Sequence, residues 1–535
     1  MLTPTAIAEK IIVMEGWRAN LLAVAAGAAS ALALAPFHLW PILFFTMPIF
    51  VWLLDGAVAP SASRGLRRFW PAFRTGFNFG FGYFLAGLWW IGQAFLVEAD
   101  EFAFLLPVAV IGLPILLALF WGVGAAFSRL AWRDGWSRLL AFACAITLAE
   151  LARGHVWTGF PWNLPGYALM PSPLMMQSVG LVGAYGMTLV TLFITASPAI
   201  FAPGDGVRKR RVRAVLASAL VLLVAHAGYG AWALSRATDD VVANVKLRLV
   251  QPNIDQREKW KPENAGPIFR SYLELSNTNA GPQANGANAF THIIWPESAF
   301  PFILSEQQQA LGAIRNTIGP NTTLISGAMR RESGDAIFNS ALVINGEAQI
   351  VAARDKTQLV PFGEFLPAQS FLESMGFQQL TKQQGGFAQG LTRAPVSLPG
   401  APAFLPLICY EVVYSGPLNA GEERPGWIVN LTNDAWFGNT SGPYQHAHQT
   451  RVRGVEQGIP IVRVANSGIT FVSDAWGRID KQLPFGARAV LDSDLPVAAA
   501  ATPFSRNGNF PIALFVCILF FALVVLRALN TNRLQ

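Results

Sequence analysis

Three short runs each lead into a side chain capable of acyl chemistry. HIIWPES carries Glu297, QIVAARDK ends in Lys356, and LICYEVVY, Leu407 to Tyr414, carries Cys409 with an acid two residues further on. A thiol attacks a carbonyl as its thiolate, and a carboxylate within hydrogen-bond reach can accept the proton. A lysine close to both can stabilise the oxyanion of the tetrahedral intermediate by its charge. Each residue also has an ordinary reading: a Glu or Lys at a strand end is usually solvated, and a buried cysteine is often a small packing residue. The chain has three cysteines; Cys144 and Cys517 fall in long apolar runs, whereas Cys409 stands alone in the more polar part. In an oxidising compartment a structural cysteine there would normally have a partner.

The elements that must position these groups lie between residues 240 and 500. Runs at 245–253, 289–297, 322–330, 341–356, 406–413, 426–434, 459–466 and 468–479 read as strands bounded by Gly, Pro, Asn or Asp. Stretches near 263–277, 305–318 and 446–458 read as helices. This mixed order predicts an α/β sandwich. No glycine-rich dinucleotide fingerprint, phosphate-binding loop or zinc-ligand spacing occurs, so nucleotide and metal chemistry have no support in the sequence.

Composition places that domain in a membrane protein. Of 535 residues, 53% are hydrophobic and only 13% charged, too apolar for an ordinary soluble enzyme. A helix of roughly 20 apolar residues crosses the hydrocarbon core. Eight spans are expected, near 19–36, 38–55, 76–97, 103–127, 138–152, 177–201, 213–234 and 509–528. The expected organisation is a seven-helix bundle over 1–236, a globular domain over 240–500 and a final helix at 509–528. Lys10 and Arg18 precede the first apolar run without a cleavage site, so no signal peptide is expected. Arg64, Arg67, Arg68 and Arg74, then Arg129, Arg133 and Arg138, then Arg208 to Arg211 and Arg213 mark alternate loops as cytoplasmic. The globular domain then lies on the opposite side. The net charge of +7 is thus largely topological, and no nucleic-acid partner is expected.

The order WPES, then RDK-x-x-LVPFGEFLP, then CYE resembles the Glu-Lys-Cys triad of the nitrilase, or carbon–nitrogen hydrolase, superfamily. Joined to an N-terminal multispan bundle and a C-terminal anchor, the pattern resembles the bacterial apolipoprotein N-acyltransferase family. TGFPWNLPGYA (158–168), QPNIDQREKW (251–260), NDAWFGNTSGPYQH (433–446) and R-x-R-x-x-E-x-G-x-P (451–460) extend the likeness over nearly the whole chain. The resemblance implies an α-β-β-α nitrilase-like sandwich, with Cys409 as nucleophile, Glu297 as general base and Lys356 as oxyanion stabiliser. It implies that Glu364 supports Lys356, that Tyr410 and Glu411 assist the nucleophile, and that Trp260, Phe387, Trp436, Phe437 and His446 belong to substrate-binding loops. Cys-His pairs do occur in catalysis, but with a glutamate already serving as base His446 takes a structural or substrate-loop role. The Gly/Gln-rich segment 380–395 reads either as a mobile lid or as an ordinary surface loop.

The same resemblance implies a two-step reaction without metal or cofactor. A membrane phospholipid donates its acyl chain to Cys409, and the resulting thioester passes it to the α-amino group of a diacylglyceryl-cysteine at the N-terminus of an apolipoprotein. It implies a monomer in the bacterial inner membrane with its catalytic domain facing the periplasm. Two other readings use the same residues differently. A membrane-tethered nitrilase or amidase would keep the triad but has no need of DAWFG or TGFPW. A transporter or sensor would call for broken helices and intramembrane charges, for which Glu150 is the main candidate.

Overall fold

The computed structural model describes residues 3–202, 209–279, 286–332, 336–374, 379–381, 385–418 and 423–531. The chain forms two compact units: Met1–Gly92, Pro107–Arg236 and Arg506–Gln535 make the first, and Gln93–Leu106 with Ala237–Ser505 the second. The segment Gln93–Leu106 therefore groups with the globular unit, unlike in a division at residue 236.

The first unit is helical. Its main helices are Gly16–Ser30, Leu43–Gly56, Trp70–Leu88, Leu106–Ser128, Ser137–His155, Val179–Ala196, Lys209–Leu234 and Phe510–Thr531. Each coincides with an expected span. Among the described residues, five helical stretches are long and apolar enough to cross a membrane: Gly65–Leu96, Ala99–Ser128, Val179–Phe201, Lys209–Leu234 and Phe510–Leu529. Small residues let two of the helices touch: a Cβ on Gly27 would lie 1.9 Å from the Phe79 carbonyl oxygen, and one on Gly82 2.0 Å from that of Val24. Glu150 is fully buried and paired with Arg153, and it accepts from Trp121 Nε1 at 2.6 Å. Arg153 also donates to the Phe160 carbonyl, so this ion pair anchors the start of the TGFPW loop. The pairing gives Glu150 a structural task.

Among the described residues the second unit holds twelve strands: β1 (Val241–Gln251), β2 (His292–Trp295), β3 (Thr323–Arg331), β4 (Ile337–Ile344), β5 (Ile350–Asp355), β6 (Val396–Leu398), β7 (Ala401–Ile408), β8 (Trp427–Thr432), β9 (Ile461–Ala465), β10 (Thr470–Ser473), β11 (Ile479–Leu483) and β12 (Ala489–Pro496). They make two six-stranded sheets, ordered β12-β1-β2-β3-β4-β5 and β11-β10-β9-β8-β7-β6. The middle of each sheet is parallel, β1-β2-β3 in one and β7-β8-β9 in the other.

Side chains alternate between the faces of a strand, and the burial follows that rule. Leu247 and Leu249 of β1, Ile294 of β2 and Ile325 of β3 meet Phe404, Trp427, Val429, Leu431 and Val462 in the core between the sheets. Val250, Ile293, Trp295 and Leu324 face the other way and pack with Ile268, Phe269, Tyr272, Ile314 and Ile318. Those last residues belong to helices Ala265–Ser276 and Gln308–Ile318. Each fully buried side chain of this kind contributes about 1.5–3 kcal/mol. Helix Ser441–Gln457 lies near β9, where a Cβ on Gly454 would touch Ile461. The layering is the α/β sandwich expected from the element order, in the α-β-β-α form that the resemblance implies.

Two elements differ from expectation for local reasons. The run 341–356 is a hairpin, because Asn345 turns the chain: its side-chain oxygen accepts from the backbone N–H of Glu347 and of Gln349, at 3.1 and 2.8 Å. The last helix starts five residues earlier than 446, where the Thr440 hydroxyl caps the N–H of Gly442 at 3.2 Å.

Gly327 in β3 lies against the turn that follows β2. Its N–H donates to Pro296 O at 3.1 Å and its carbonyl accepts from Ala299 at 2.8 Å. A Cβ there would stand 2.5 Å from Glu297 Cα and 2.7 Å from Ser298 N, both backbone. Gly327→Ala is expected to destabilise the folded protein by about 1–3 kcal/mol, as overpacking does, and to displace Glu297. Thermal unfolding together with an activity assay checks this; an unchanged melting temperature with full activity would remove Gly327 as the constraint on that turn.

Candidate active site

The site is built at the carboxyl ends of strands. β2 ends at Trp295, and Pro296 leads directly to Glu297; β5 ends at Asp355 and the next residue is Lys356, whose N–H donates to Asn339 O at 2.8 Å. β7 ends at Ile408, and Cys409 opens a short 3-10 turn, Cys409–Val413. The continuous strand expected over 406–413 therefore breaks at the cysteine. Cys409 has φ +49°, a left-handed conformation that costs a non-glycine residue on the order of 1–3 kcal/mol and needs support from its surroundings.

Part of that support is Glu411. One of its oxygens accepts from Thr357 N at 2.8 Å and from Thr357 Oγ1 at 2.7 Å, and the other accepts from Ile408 N at 2.8 Å. One buried carboxylate thus ties the residue before the cysteine to the residue after Lys356.

Lys356 is almost completely buried between two acids. Its Nζ is 2.8 Å from Glu364 Oε1 and 3.4 Å from Glu297 Oε1. Asn339 Nδ2 donates to the same two oxygens, at 3.0 Å to Glu364 and 2.8 Å to Glu297. Only an amide NH2 can face two carboxylates, so the orientation of Asn339 is fixed by chemistry. Burial opposes the charge on Lys356, but Glu364, Glu297 and Cys409 outweigh it and hold the ammonium above its ordinary range. Burial, together with the negative charge of Glu297, pushes the Cys409 thiol up, while Lys356 pulls it the other way. Burial and Glu297 thus favour the thiol, and Lys356 favours the thiolate.

The two glutamates are held differently. Glu364 Oε2 accepts from Val360 N at 2.9 Å, so both of its oxygens are engaged. Glu297 Oε2 takes no hydrogen bond among the described residues, which leaves it open to a proton. A second buried lysine, Lys259, donates to the main-chain oxygen of Glu297 at 3.3 Å. Burial pulls its pKa down to about 8, against the attraction of Glu297.

The other expected residues are placed as follows. Tyr410 is buried and meets Tyr414 edge-on with ring centres 5.2 Å apart. Trp260 is 43% exposed, and Trp436 and Phe437 are half-buried in the turn Asp434–Phe437. Phe387 donates its N–H to Glu364 O at 2.9 Å, and Gly390 donates to Lys356 O at 2.8 Å. This part of segment 380–395 is thus fastened to the site's own backbone; residues 382–384 lie outside the described ones.

Of the two roles expected for His446, the structure supports the structural one. The residue does not lie on a substrate loop: it sits fully buried in helix Ser441–Gln457, with Nδ1 2.9 Å from Asp434 Oδ1 and Nε2 3.2 Å from the Cys409 carbonyl oxygen. The physical reason is that Asp434 and Arg463, a buried pair at 2.6 Å, and the Cys409 carbonyl supply the hydrogen bonds that a buried imidazole needs to offset its lost hydration. Burial and Arg463 push the imidazole below its ordinary range against the pull of Asp434.

Asn339, Lys259, Asp434, Arg463 and Asn430 escaped the sequence reading. The available signal was a polar residue within an apolar strand run, as in IFNSALVI, WIVNLTND and IPIVRVAN. Among the described residues no group of three or more His, Cys, Asp or Glu could hold a metal ion.

Comparison with known proteins bears on the whole chain. Residues 26–197 match the apolipoprotein N-acyltransferase N-terminal domain, and residues 246–502 match the carbon–nitrogen hydrolase family. An apolipoprotein N-acyltransferase of Rhodopseudomonas palustris is 46% identical over 528 residues, covering 97% of each chain. One of Bradyrhizobium diazoefficiens is 46% identical over 518 residues, covering 96% of each. Among solved structures, an amidase from Nesterenkonia aligns with 49% of this chain and 97% of its own, at 17% identity and a TM-score of 0.34. Two family domains in sequence and full-length relatives at this identity lead to one conclusion: the chain belongs to the apolipoprotein N-acyltransferase family.

Proposed function

We propose that the chain transfers an acyl group from a membrane phospholipid to the α-amino group of the diacylglyceryl-cysteine at the N-terminus of apolipoproteins, through a thioester on Cys409. The observation that carries this reading is the setting of Cys409: a buried thiol under the influence of Lys356 and Glu297, with one oxygen of Glu297 open.

In the first half-reaction Glu297 takes the thiol proton as the sulfur attacks the ester carbonyl. The Lys356 ammonium, already desolvated, stabilises the oxyanion. When the tetrahedral intermediate collapses, the C–O bond breaks and the proton on Glu297 passes to the departing oxygen, releasing lysophospholipid. In the second, the lipoprotein amine attacks the thioester, Glu297 accepts the amine proton, and the thiolate leaves and is reprotonated. Glu364 and Asn339 hold Lys356 and Glu297 in place throughout. Trp260, Trp436, Phe437 and Phe387 border the substrate path. On this reading the chain crosses the bacterial inner membrane eight times with its globular unit on the periplasmic side; the alternation of basic loops supports that orientation.

Cys409→Ala is expected to abolish acyl-enzyme and N-acylated product while Cys144→Ala and Cys517→Ala stay active. Intact mass after incubation with phospholipid reads this directly: the added acyl mass should vanish with neutral hydroxylamine, and an acylated Cys409→Ala protein would overturn the thioester.

The two glutamates separate in the same assay. Glu297→Gln should form no acyl-enzyme, because the base is gone. Glu364→Gln should retain part of the first step and lose overall turnover by about 100-fold, because geometry rather than proton transfer is damaged. Normal acylation of Glu297→Gln with none in Glu364→Gln would reverse their roles.

For topology, single cysteines placed at Ser61 and Asp205 should be protected from an impermeant thiol reagent in intact cells, and one at Asn285 labelled. The opposite pattern would reject the eight-span orientation.

A further inference from the structure

We propose that His446 is a positioning residue for the acyl-transfer reaction: it holds the peptide of the nucleophile by its carbonyl, and Arg463 holds His446. This rests on the reading of Cys409 as the nucleophile and adds to it a support that reaches the cysteine through its carbonyl.

Two donors meet on the Cys409 carbonyl oxygen. His446 Nε2 lies 3.2 Å away and Asn430 Nδ2 3.4 Å away, the latter also donating to Leu407 O at 2.9 Å. Both donors trace back to a single guanidinium. Arg463 Nη1 donates to Asn430 Oδ1 and, at 3.0 Å, to Thr450 Oγ1. Its Nη2 lies 2.6 Å from Asp434 Oδ2 and 3.2 Å from His446 Nδ1. Thr450 in turn donates to the His446 carbonyl at 2.8 Å, and Thr432 donates to Asp434 Oδ1 at 3.2 Å. His446, Arg463, Asp434, Asn430 and Thr450 are all buried to within 1%.

The chemistry of the partners assigns the proton. A carbonyl oxygen only accepts, so His446 Nε2 must carry hydrogen. Nδ1 faces a donor, Arg463, and an acceptor, Asp434; it can accept from the first when the ring is neutral and donate to the second when it is charged. The bond to Cys409 survives either way. That is the behaviour of a fixed strut rather than of a general base, and it gives the histidine beside the cysteine a task on the backbone. What the strut holds is the left-handed backbone of Cys409, which sets the direction of the sulfur toward Lys356 and Glu297.

The test uses the full-length protein in phospholipid and two variants that each keep one half of the imidazole. His446→Gln reaches about as far as Nε2 and can still donate to the Cys409 carbonyl; His446→Asn reaches about as far as Nδ1 and keeps only the Asp434 side. His446→Gln should form acyl-enzyme within about 3-fold of the wild-type rate. His446→Asn should be slower by about 100-fold, the size of effect expected from a small misplacement of a reacting group, with the phospholipid KM unchanged and a melting temperature no lower than that of His446→Gln. Equal rates in the two variants, or a loss confined to KM, would overturn the proposal. If His446→Asn does not fold, Arg463→Lys, which keeps the charge but loses the fork, carries the same expectation of a slower rate at unchanged KM, and a wild-type rate there overturns it. Acylation of Cys409→Ala would instead sink the nucleophile assignment itself, so the two failures are distinguishable.

Discussion

An ammonium removed from water is tolerated only beside negative charge, and Lys356 meets that condition with Glu364 and Glu297 within 3.4 Å. Removing one partner of a buried ion pair typically costs 3–5 kcal/mol, so the positions of the residues that deliver these groups are tightly constrained. Glu297 comes from the end of β2, Asn339 from β4, Lys356 from the end of β5, and Glu364 from the turn after it. All four belong to one sheet and its margin. Cys409 comes from the other, at the end of β7. The apolar contacts between the sheets therefore do more than stabilise the domain: they set the register in which a thiol from one layer meets an ammonium from the other.

A second set of compensated charges lies on the far side of the cysteine. Asp434, pulled down to about 2 because Arg463 and His446 outweigh the cost of its burial, anchors the end of β8 to helix Ser441–Gln457 and β9. Cys409 belongs to both clusters: its thiol feels Glu297, Lys356 and Asp434, and its carbonyl is held by His446. Preorganisation of this kind is purchased in advance by folding, so that little reorganisation is left for the moment of reaction. Glu411 completes the arrangement by tying the backbone before Cys409 to the backbone after Lys356.

The helical unit meets a related constraint with different means. Its buried charges are paired, Arg138 with Asp55 and Arg153 with Glu150, and its loop TGFPWNLPGYA is folded inward, with Trp162, Leu164 and Tyr167 almost inaccessible. Tyr83 donates to Asn163 O at 2.9 Å and Asn163 donates to Gly87 O at 3.1 Å. Backbone outside helices has no water to satisfy it in an apolar medium, so such a loop persists only when side chains supply the missing bonds.

The division between what was legible and what was not follows the range of the forces. Apolar runs and their lengths located the helices of the first unit, because hydrophobicity is a local property of the chain. Alternating patterns with Gly, Pro and Asn breaks located most strands, and the motif order carried Glu297, Lys356 and Cys409 together with the family. The strands β6, β11 and β12 were not read, since β6 has three residues and the charged residues of IDKQL and AVLDSDLP break up the apolar signal. The break in strand 406–413 was also invisible: LICYEVVY is as good a β run as any by composition, and the partners that hold the turn at the cysteine, such as Thr357 bonded to Glu411, 54 residues on, are distant in the chain. His446 shows the limit most clearly. The resemblance left a structural and a substrate-loop role open for it, and only Asp434 and Arg463, 12 and 17 residues away, hold it in the interior. Residue types and spacing determined which chemistry this chain can perform; which groups face one another was decided by the stacking of two sheets, because the partners of a buried charge are chosen by burial and distance rather than by position along the chain.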